Sequence, residues 1–144
     1  MSSIYLNEEH LLLQNMVREF SQNELKPLAQ KIDEESIFPS ESIKKISDLG
    51  LMGIPWDSKY NGGGMDTISL VIAIEEMAKV CVSTAVTVMA HTSLGSAPFA
   101  YFGTDEQKEK YLTKLASGEM IGAFGLTEPN AGSDAGNTET TAKL

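Results

Sequence analysis

Small residues and hydroxyls are concentrated in one stretch near the end of the chain, Gly125-Leu126-Thr127-Glu128-Pro129-Asn130-Ala131-Gly132-Ser133-Asp134. Gly125, Ala131 and Gly132 let a ligand come close to the backbone, while Thr127 and Ser133 offer hydroxyls beside neighbouring N–H groups. Such a loop can hold the hydrogen-bonding edge of a planar cofactor, or a phosphate. An ordinary strand-turn-strand with Asn and Gly at the bend accounts for the same residues equally well, so both readings stand at this point.

Elsewhere, side chains that could do chemistry are sparse. Neither His10 nor His91 has a second His, Cys or carboxylate at ligand spacing, so no metal site is expected. His10 reads as a solvated residue on the first helix, and His91 as a helix-end histidine satisfied by a backbone carbonyl. Cys81, the single cysteine, lies in the apolar run Val80-Cys81-Val82 and reads as a small core hydrophobe, with no disulfide possible within the chain. Met52, Met65, Met77 and Met89 read as core filler, and Asp33-Glu34-Glu35 and the lysines 108 and 110 as solvated helix faces.

The elements that must position the glycine-rich stretch are helical. Asn7 before Glu8 and Glu9 is a helix N-cap with acidic residues where the macrodipole favours them, and Leu12, Met16 and Phe20, with Leu13 and Val17 beside them, form an apolar stripe to about residue 24. Pro27 punctuates that helix, and a second piece can begin over 28–35. A third is suggested by Ile43, Ile46 and Leu49, closed by Gly50 in a left-handed cap. After a loop marked by Pro55 and Asn61-Gly62-Gly63-Gly64, Asp66 or Thr67 caps a helix over 68–80 that is apolar on nearly every side and should be buried in the middle of a bundle. Residues 83–101 read as a further helix despite several β-branched residues, and Thr104-Asp105-Glu106-Gln107 is a capping box opening another that ends at Gly118. From Ile121 the pattern turns short, glycine-interrupted and strand-like, with a further strand expected over 140–143.

Composition narrows the partners. The 144 residues suffice for one domain with a core, perhaps with a piece of another. Acidic residues outnumber basic ones 20 to 11 and Arg18 is the only arginine, so neither nucleic acid nor an anionic membrane is an expected partner. Met1-Ser2-Ser3-Ile4-Tyr5 has neither the basic start nor the apolar stretch of a signal peptide, and no apolar run could span a bilayer. A cytoplasmic protein is expected, or one of the mitochondrial matrix if the source is eukaryotic, although no transit peptide is visible.

As a string, the stretch over 125–134 closely resembles the first signature of the acyl-CoA dehydrogenases: glycine, aliphatic, Ser/Thr, Glu, two variable residues, small, Gly, Ser/Thr, Asp. The resemblance extends upstream through Leu49-Gly50-Leu51-Met52-Gly53-Ile54, Tyr60-Asn61-Gly62-Gly63, Glu75-Glu76-Met77-Ala78, His91-Thr92-Ser93-Leu94-Gly95 and Phe102-Gly103-Thr104-Asp105-Glu106-Gln107-Lys108. These look like the family's helical N-terminal domain, closest to its short-chain, butyryl-type members.

The resemblance implies a mainly α fold, a helical bundle-like domain over 1–118 followed over 119–144 by the first strands of a central β domain. It implies FAD as cofactor, an acyl-CoA as substrate, electron-transfer flavoprotein as acceptor and a homotetramer for the whole protein. Members remove an α-proton with a glutamate while the β-hydride passes to flavin, giving a trans-2-enoyl thioester. Phe124, Gly125, Leu126, Thr127, Glu128, Pro129, Asn130, Ala131, Gly132 and Ser133 would be the first FAD-contacting segment. Backbone groups near Leu126 and the Thr127 hydroxyl would face the pyrimidine end of the ring, where fixed donors stabilise the reduced state, and Ser133 would touch both FAD and the acyl-CoA. Glu128 matches a family position but reads as a turn or surface carboxylate, not the base, and His91 falls where the family borders its acyl cavity. Asn137 departs from the pattern, standing where a small residue is usual, with Gly136 one place earlier. The base glutamate is expected beyond Leu144, so no catalytic residue is assigned and no dehydrogenase activity is expected from the chain alone. A non-catalytic helical interaction module is the rival from another class; an oxidase sharing the flavin is a third reading.

Overall fold

The computed structural model describes residues 6–143, so the reading of residues 1–5 as lacking a leader lies outside the described residues. Helix α1 (Glu8–Phe20) begins where Asn7 accepts the His10 N–H at 2.8 Å while the His10 ring, through Nδ1, accepts the Asn7 N–H at 3.3 Å. The imidazole thus takes the reciprocal place that Glu or Gln fills in most capping boxes. His10 is buried, contrary to the solvated role read from sequence, because Nε2 also reaches the two Asp66 carboxylate oxygens at 2.9 and 3.0 Å. The buried face of α1 is His10, Leu13 and Val17, whereas Leu12 and Met16 of the expected stripe are exposed.

The chain does not break before Pro27. A wide π-turn, Ser21–Leu25, carries α1 directly into α2 (Lys26–Glu34), with the Lys26 N–H bonded to the Ser21 carbonyl. Widening the turn makes room for the pyrrolidine ring and its missing donor. The same device recurs: the helix over Val82–Ala90 passes through a π-turn, His91–Ser96, into a helix with Pro98 in its first turn.

Helix α3 (Ser40–Asp48) ends as expected at Gly50, at φ +72°, with Leu51 N–H bonded to Ile46 O at 3.1 Å. Helix α4 (Thr67–Ala78) is capped by Asp66, which accepts the Ser69 N–H at 2.8 Å and the Ser69 hydroxyl at 2.9 Å. It packs against α1 and α5 (Val82–Ala90) and buries Ile72, Ala73, Glu76 and Met77, but Ile68 and Val71 face solvent. The expected burial on all sides therefore fails on this face, since the described residues supply neighbours only on the other. The helix expected over 83–101 is present as α5, its π-turn and α6 (Ala97–Phe102). Thr104 and Gln107 form the expected capping box of α7 (Asp105–Gln107), which widens over Lys108–Leu112 and closes as α8 (Thr113–Ala116).

One core gathers Val17, Leu25, Ile46, Leu51, Met52, Ile54, Met77, Cys81 and Val88, and a smaller one groups Trp56, Tyr60, Ala97, Leu112 and Ala116. Met52, Met77 and Cys81 are core filler as expected, Met65 packs against the core's edge, and Met89 is exposed. Among the described residues no strand forms after Gly118. The segment over 121–127 has no partner to ladder with, and a single isolated bridge between Glu128 and Ala131 is all the β structure present.

Candidate functional site

The glycine-rich stretch leaves the helical domain at a backbone crossing. His91, fully buried at the first position of its π-turn, accepts the Gly122 N–H on Nδ1 at 2.9 Å and meets the Leu115 carbonyl through Nε2 at 3.0 Å. Because Nδ1 must accept, the hydrogen resides on Nε2 and is donated to Leu115: the ring is the neutral Nε2–H tautomer. Burial pushes its pKa below the ordinary histidine value, opposed by the carbonyls of Leu115 and Met52. The expectation that a backbone carbonyl satisfies His91 holds; its second bond, to Gly122, has no counterpart in the sequence reading. Beside it, Gly95 and Gly122 touch backbone to backbone. A Cβ on Gly95 would lie 2.7 Å from Gly122 Cα, and one on Gly122 would lie 2.9 Å from Gly95 Cα, so neither position has room for a side chain.

Beyond this crossing the segment is open. Phe124 and Leu126 are exposed, and Cβ atoms built on Gly125 and Gly132 would have nothing within 4 Å. Among the described residues, no backbone N–H or C=O of residues 123–127 has a hydrogen-bond partner, and the Thr127 and Ser133 hydroxyls make none either. Pro129 and Asn130 occupy a tight bend closed by reciprocal bonds between Glu128 and Ala131, at 3.0 and 3.1 Å, and Ala131 is buried.

Glu128 then does more than line the turn. Its Oε2 accepts the Glu139 N–H at 2.7 Å and its Oε1 the Thr140 N–H at 3.1 Å. Hydrogen bonds from the Thr140 side chain and the Glu139 N–H hold its carboxyl below the usual carboxylate range. Beyond Ser133, Asp134 accepts the Asn137 N–H at 3.1 Å, and Gly136 and Asn137 lie together in a short 3-10 turn, Ala135–Asn137. The small residue displaced from its usual place thus sits within that turn. A row of free backbone donors, two unpaired hydroxyls and glycines with open space above them fits the hydrogen-bonding edge of a flavin ring.

An ion cluster around one buried carboxylate, away from this stretch, escaped the sequence reading. Glu76, on the buried face of α4, is gripped by Arg18 through Nε at 3.1 Å and Nη2 at 2.9 Å, and by Lys79 Nζ at 2.8 Å. Arg18 holds the Glu76 carboxyl below its usual range, with Lys79 adding to the effect against desolvation. A carboxylate at the end of an otherwise apolar run demanded a cation, and the lone arginine was the available signal. Among the described residues, no group of three or more His, Cys, Asp or Glu stands where it could hold a metal, and no helix is long and apolar enough to cross a membrane.

Comparison with known proteins points to the family that the sequence resembles. Residues 7–119 match the family described as acyl-CoA dehydrogenase, N-terminal domain. The short-chain specific acyl-CoA dehydrogenase of Clostridium acetobutylicum is 52% identical over 139 residues, which are 96% of this chain and 37% of that protein. A solved structure described as the electron transferring flavoprotein of Acidaminococcus fermentans superposes with a TM-score of 0.94 at 40% identity, over 99% of this chain and 37% of that one. An acyl-CoA dehydrogenase from Bacillus anthracis, solved in complex with FAD, superposes at 0.88 with 33% identity, over 96% of this chain and 24% of that one. The chain belongs to the acyl-CoA dehydrogenase family, and spans little more than a third of the length of the Clostridium relative.

Proposed function

We propose that the chain supplies the helical N-terminal domain, over 1–118, and the start of the central β domain, over 119–144, of a short-chain acyl-CoA dehydrogenase, with Phe124 to Ser133 as its first FAD-contacting segment. The observation that carries this reading is the open run of backbone donors at 123–127, which with the hydroxyls of Thr127 and Ser133 have no partner among the described residues, held at one end by His91 and Gly122. When bound, FAD supplies the acceptor for the hydride that leaves the acyl β-carbon. Donors near Leu126 and the Thr127 hydroxyl orient the pyrimidine edge of the ring and favour the negative charge it gathers on reduction. Ser133 lies one turn further along and contacts FAD and the acyl-CoA together.

No residue of the chain is assigned the role of base, and Glu128 is unsuited to it because both carboxylate oxygens face its own loop. The whole protein would pass its electrons to an electron-transfer flavoprotein, assemble as a homotetramer and work in the cytoplasm, or in the mitochondrial matrix of a eukaryote. The Clostridium relative supports the short-chain substrate, the Bacillus anthracis structure the FAD, and the Acidaminococcus structure the acceptor. The alternative, a non-catalytic helical module, draws on the exposed apolar residues of α4 and α5, Ile68, Val71, Val82, Val86 and Met89.

Titrating FAD into the 15N-labelled chain tests the reading. Amide shifts at Leu126, Thr127 and Ser133 are expected, and shifts confined to the α4–α5 face would refute the flavin assignment. In the same sample butyryl-CoA should not turn over; flavin-stoichiometric turnover would refute the inactivity of the chain alone.

A further inference from the structure

We propose that Glu128 is a positioning residue for the cofactor segment: its carboxylate, by accepting the N–H groups of Glu139 and Thr140, closes the loop over 129–138 and sets the face on which Thr127 and Ser133 present their hydroxyls. This rests on the flavin reading above and adds a part that the reading does not require. Three constraints meet at one residue. The backbone of Glu128 closes the Pro129-Asn130 bend onto Ala131, its side chain ties that bend to the segment eleven and twelve positions on, and Thr127 is its immediate neighbour. Without the side-chain bonds, the described contacts within this stretch are the Glu128–Ala131 pair and the Asp134–Asn137 turn, neither of which spans the loop.

The chemistry of the choice follows from the two acceptors needed. A carboxylate offers both oxygens to two separate N–H donors, whereas an amide offers one oxygen and turns its NH2 against the second donor. The charge of Glu128, which would oppose charge gathered on a reduced flavin nearby, is at the same time compensated by two fixed dipoles. Closing the loop before the ligand arrives removes ordering that binding would otherwise have to supply. Glu128 acts through the loop and touches no reacting atom.

The test uses the chain itself with three variants: Glu128→Ala, Glu128→Gln and Glu128→Asp. Amide hydrogen exchange at Glu139 and Thr140 is read first. Exchange about tenfold faster in Glu128→Ala is expected, the factor that loss of a charge-assisted hydrogen bond would give, with Glu128→Gln between it and the parent chain. Unchanged exchange in Glu128→Ala would overturn the inference, as would equal loss in Glu128→Gln. Far-ultraviolet circular dichroism checks that the helices of each variant are intact. The second readout is the visible absorbance of added FAD, which reports the ring's surroundings and which a loop of purely structural value would leave alone. Perturbed flavin absorbance in the parent, weakened in Glu128→Ala and partly restored in Glu128→Gln or Glu128→Asp, supports the positioning role. An unweakened flavin signal in Glu128→Ala refutes it. If FAD leaves no signature even with the parent chain while Glu139 and Thr140 still respond to substitution, the flavin reading itself has failed and the positioning role falls with it.

Discussion

Substituting Gly122 by alanine tests the crossing that launches the candidate segment. The added Cβ would lie 2.9 Å from Gly95 Cα, 3.1 Å from the Gly95 carbonyl carbon and 3.3 Å from a Leu115 methyl. Carbon atoms rest at roughly 3.5–4.0 Å, so the two backbones must part by about 0.6–1.1 Å. Backbone on a buried helix cannot give as a side-chain tip would, so the segment lifts. A lift of that size stretches the 2.9 Å bond from Gly122 N–H to His91 Nδ1 to the edge of hydrogen-bonding range or past it. The fully buried imidazole then keeps its carbonyl partner at Leu115 but loses the donor to Nδ1, which costs about 1–3 kcal/mol. Crowding adds about 1–3 kcal/mol, but the two are alternatives as much as sums, because lifting relieves the crowding that causes it. A net loss of about 2–3 kcal/mol in urea unfolding is expected, together with faster exchange of the residue 122 amide. Gly125→Ala is the control: its Cβ enters open space, so a change within about 0.5 kcal/mol is expected. A Gly122→Ala chain as stable as the parent, with its 122 amide still protected, would show that the crossing does not hold the segment.

Protonation should act on the same joint. With the folded pKa of His91 lowered, the unfolded chain binds the extra proton first, so the contribution of this residue to stability is present above about 6.5, the ordinary value, and erodes as pH falls from there through the folded pKa. Urea titrations from pH 7 to 5 should show that loss in the parent and a shallower one in His91→Gln; equal slopes would count against it. The Glu76 cluster responds in a lower window. Its folded pKa is lowered, so its stabilisation is present above about 4.5 and is lost as pH falls through the folded pKa. Arg18→Ala should unfold at lower temperature than Glu76→Gln, since it leaves a side chain that is 1% exposed with Lys79 alone, while Arg18 freed of Glu76 is 48% exposed and can turn to water. Thermal melts of the two variants check the order, and the reverse order would refute it. Met77→Ala, emptying a fully buried site in the main core, should cost about 2–5 kcal/mol in the same melts, and a silent substitution would mean that α4 packs otherwise.

What the sequence made legible is local. The caps at Asn7, Asp66 and Thr104 and the left-handed end at Gly50 each rest on residues a few positions apart, and each is found where it was expected. The signature over 125–134 was likewise readable as a string. Facing was not. On α1 the set Leu12, Met16 and Phe20 and the set Leu13 and Val17 both obey helical spacing, and only the position of α4 selects the second, bringing His10 with it because Asp66 caps α4 directly opposite. The strands expected after Ile121 fail for the complementary reason: a strand exists only with a neighbour, and among the described residues none is there.

Proline carries the remaining lesson, and it runs against the usual reading of that residue as a stop. Pro27 and Pro98 each sit just past a wide turn, Ser21–Leu25 and His91–Ser96, and the helix continues through both. At the second of these the widened backbone does more than accommodate a ring. His91 opens the wide turn and Gly95 lies within it, so one turn supplies both the ring that accepts the Gly122 N–H and the side-chain-free surface on which Gly122 rests. Pro98→Ala removes the steric reason for the wide turn. If the proline enforces it, the helix should tighten toward regular spacing and the Gly122 amide should exchange faster; unchanged protection there would mean that the crossing itself, through His91 and Gly95, holds the turn open.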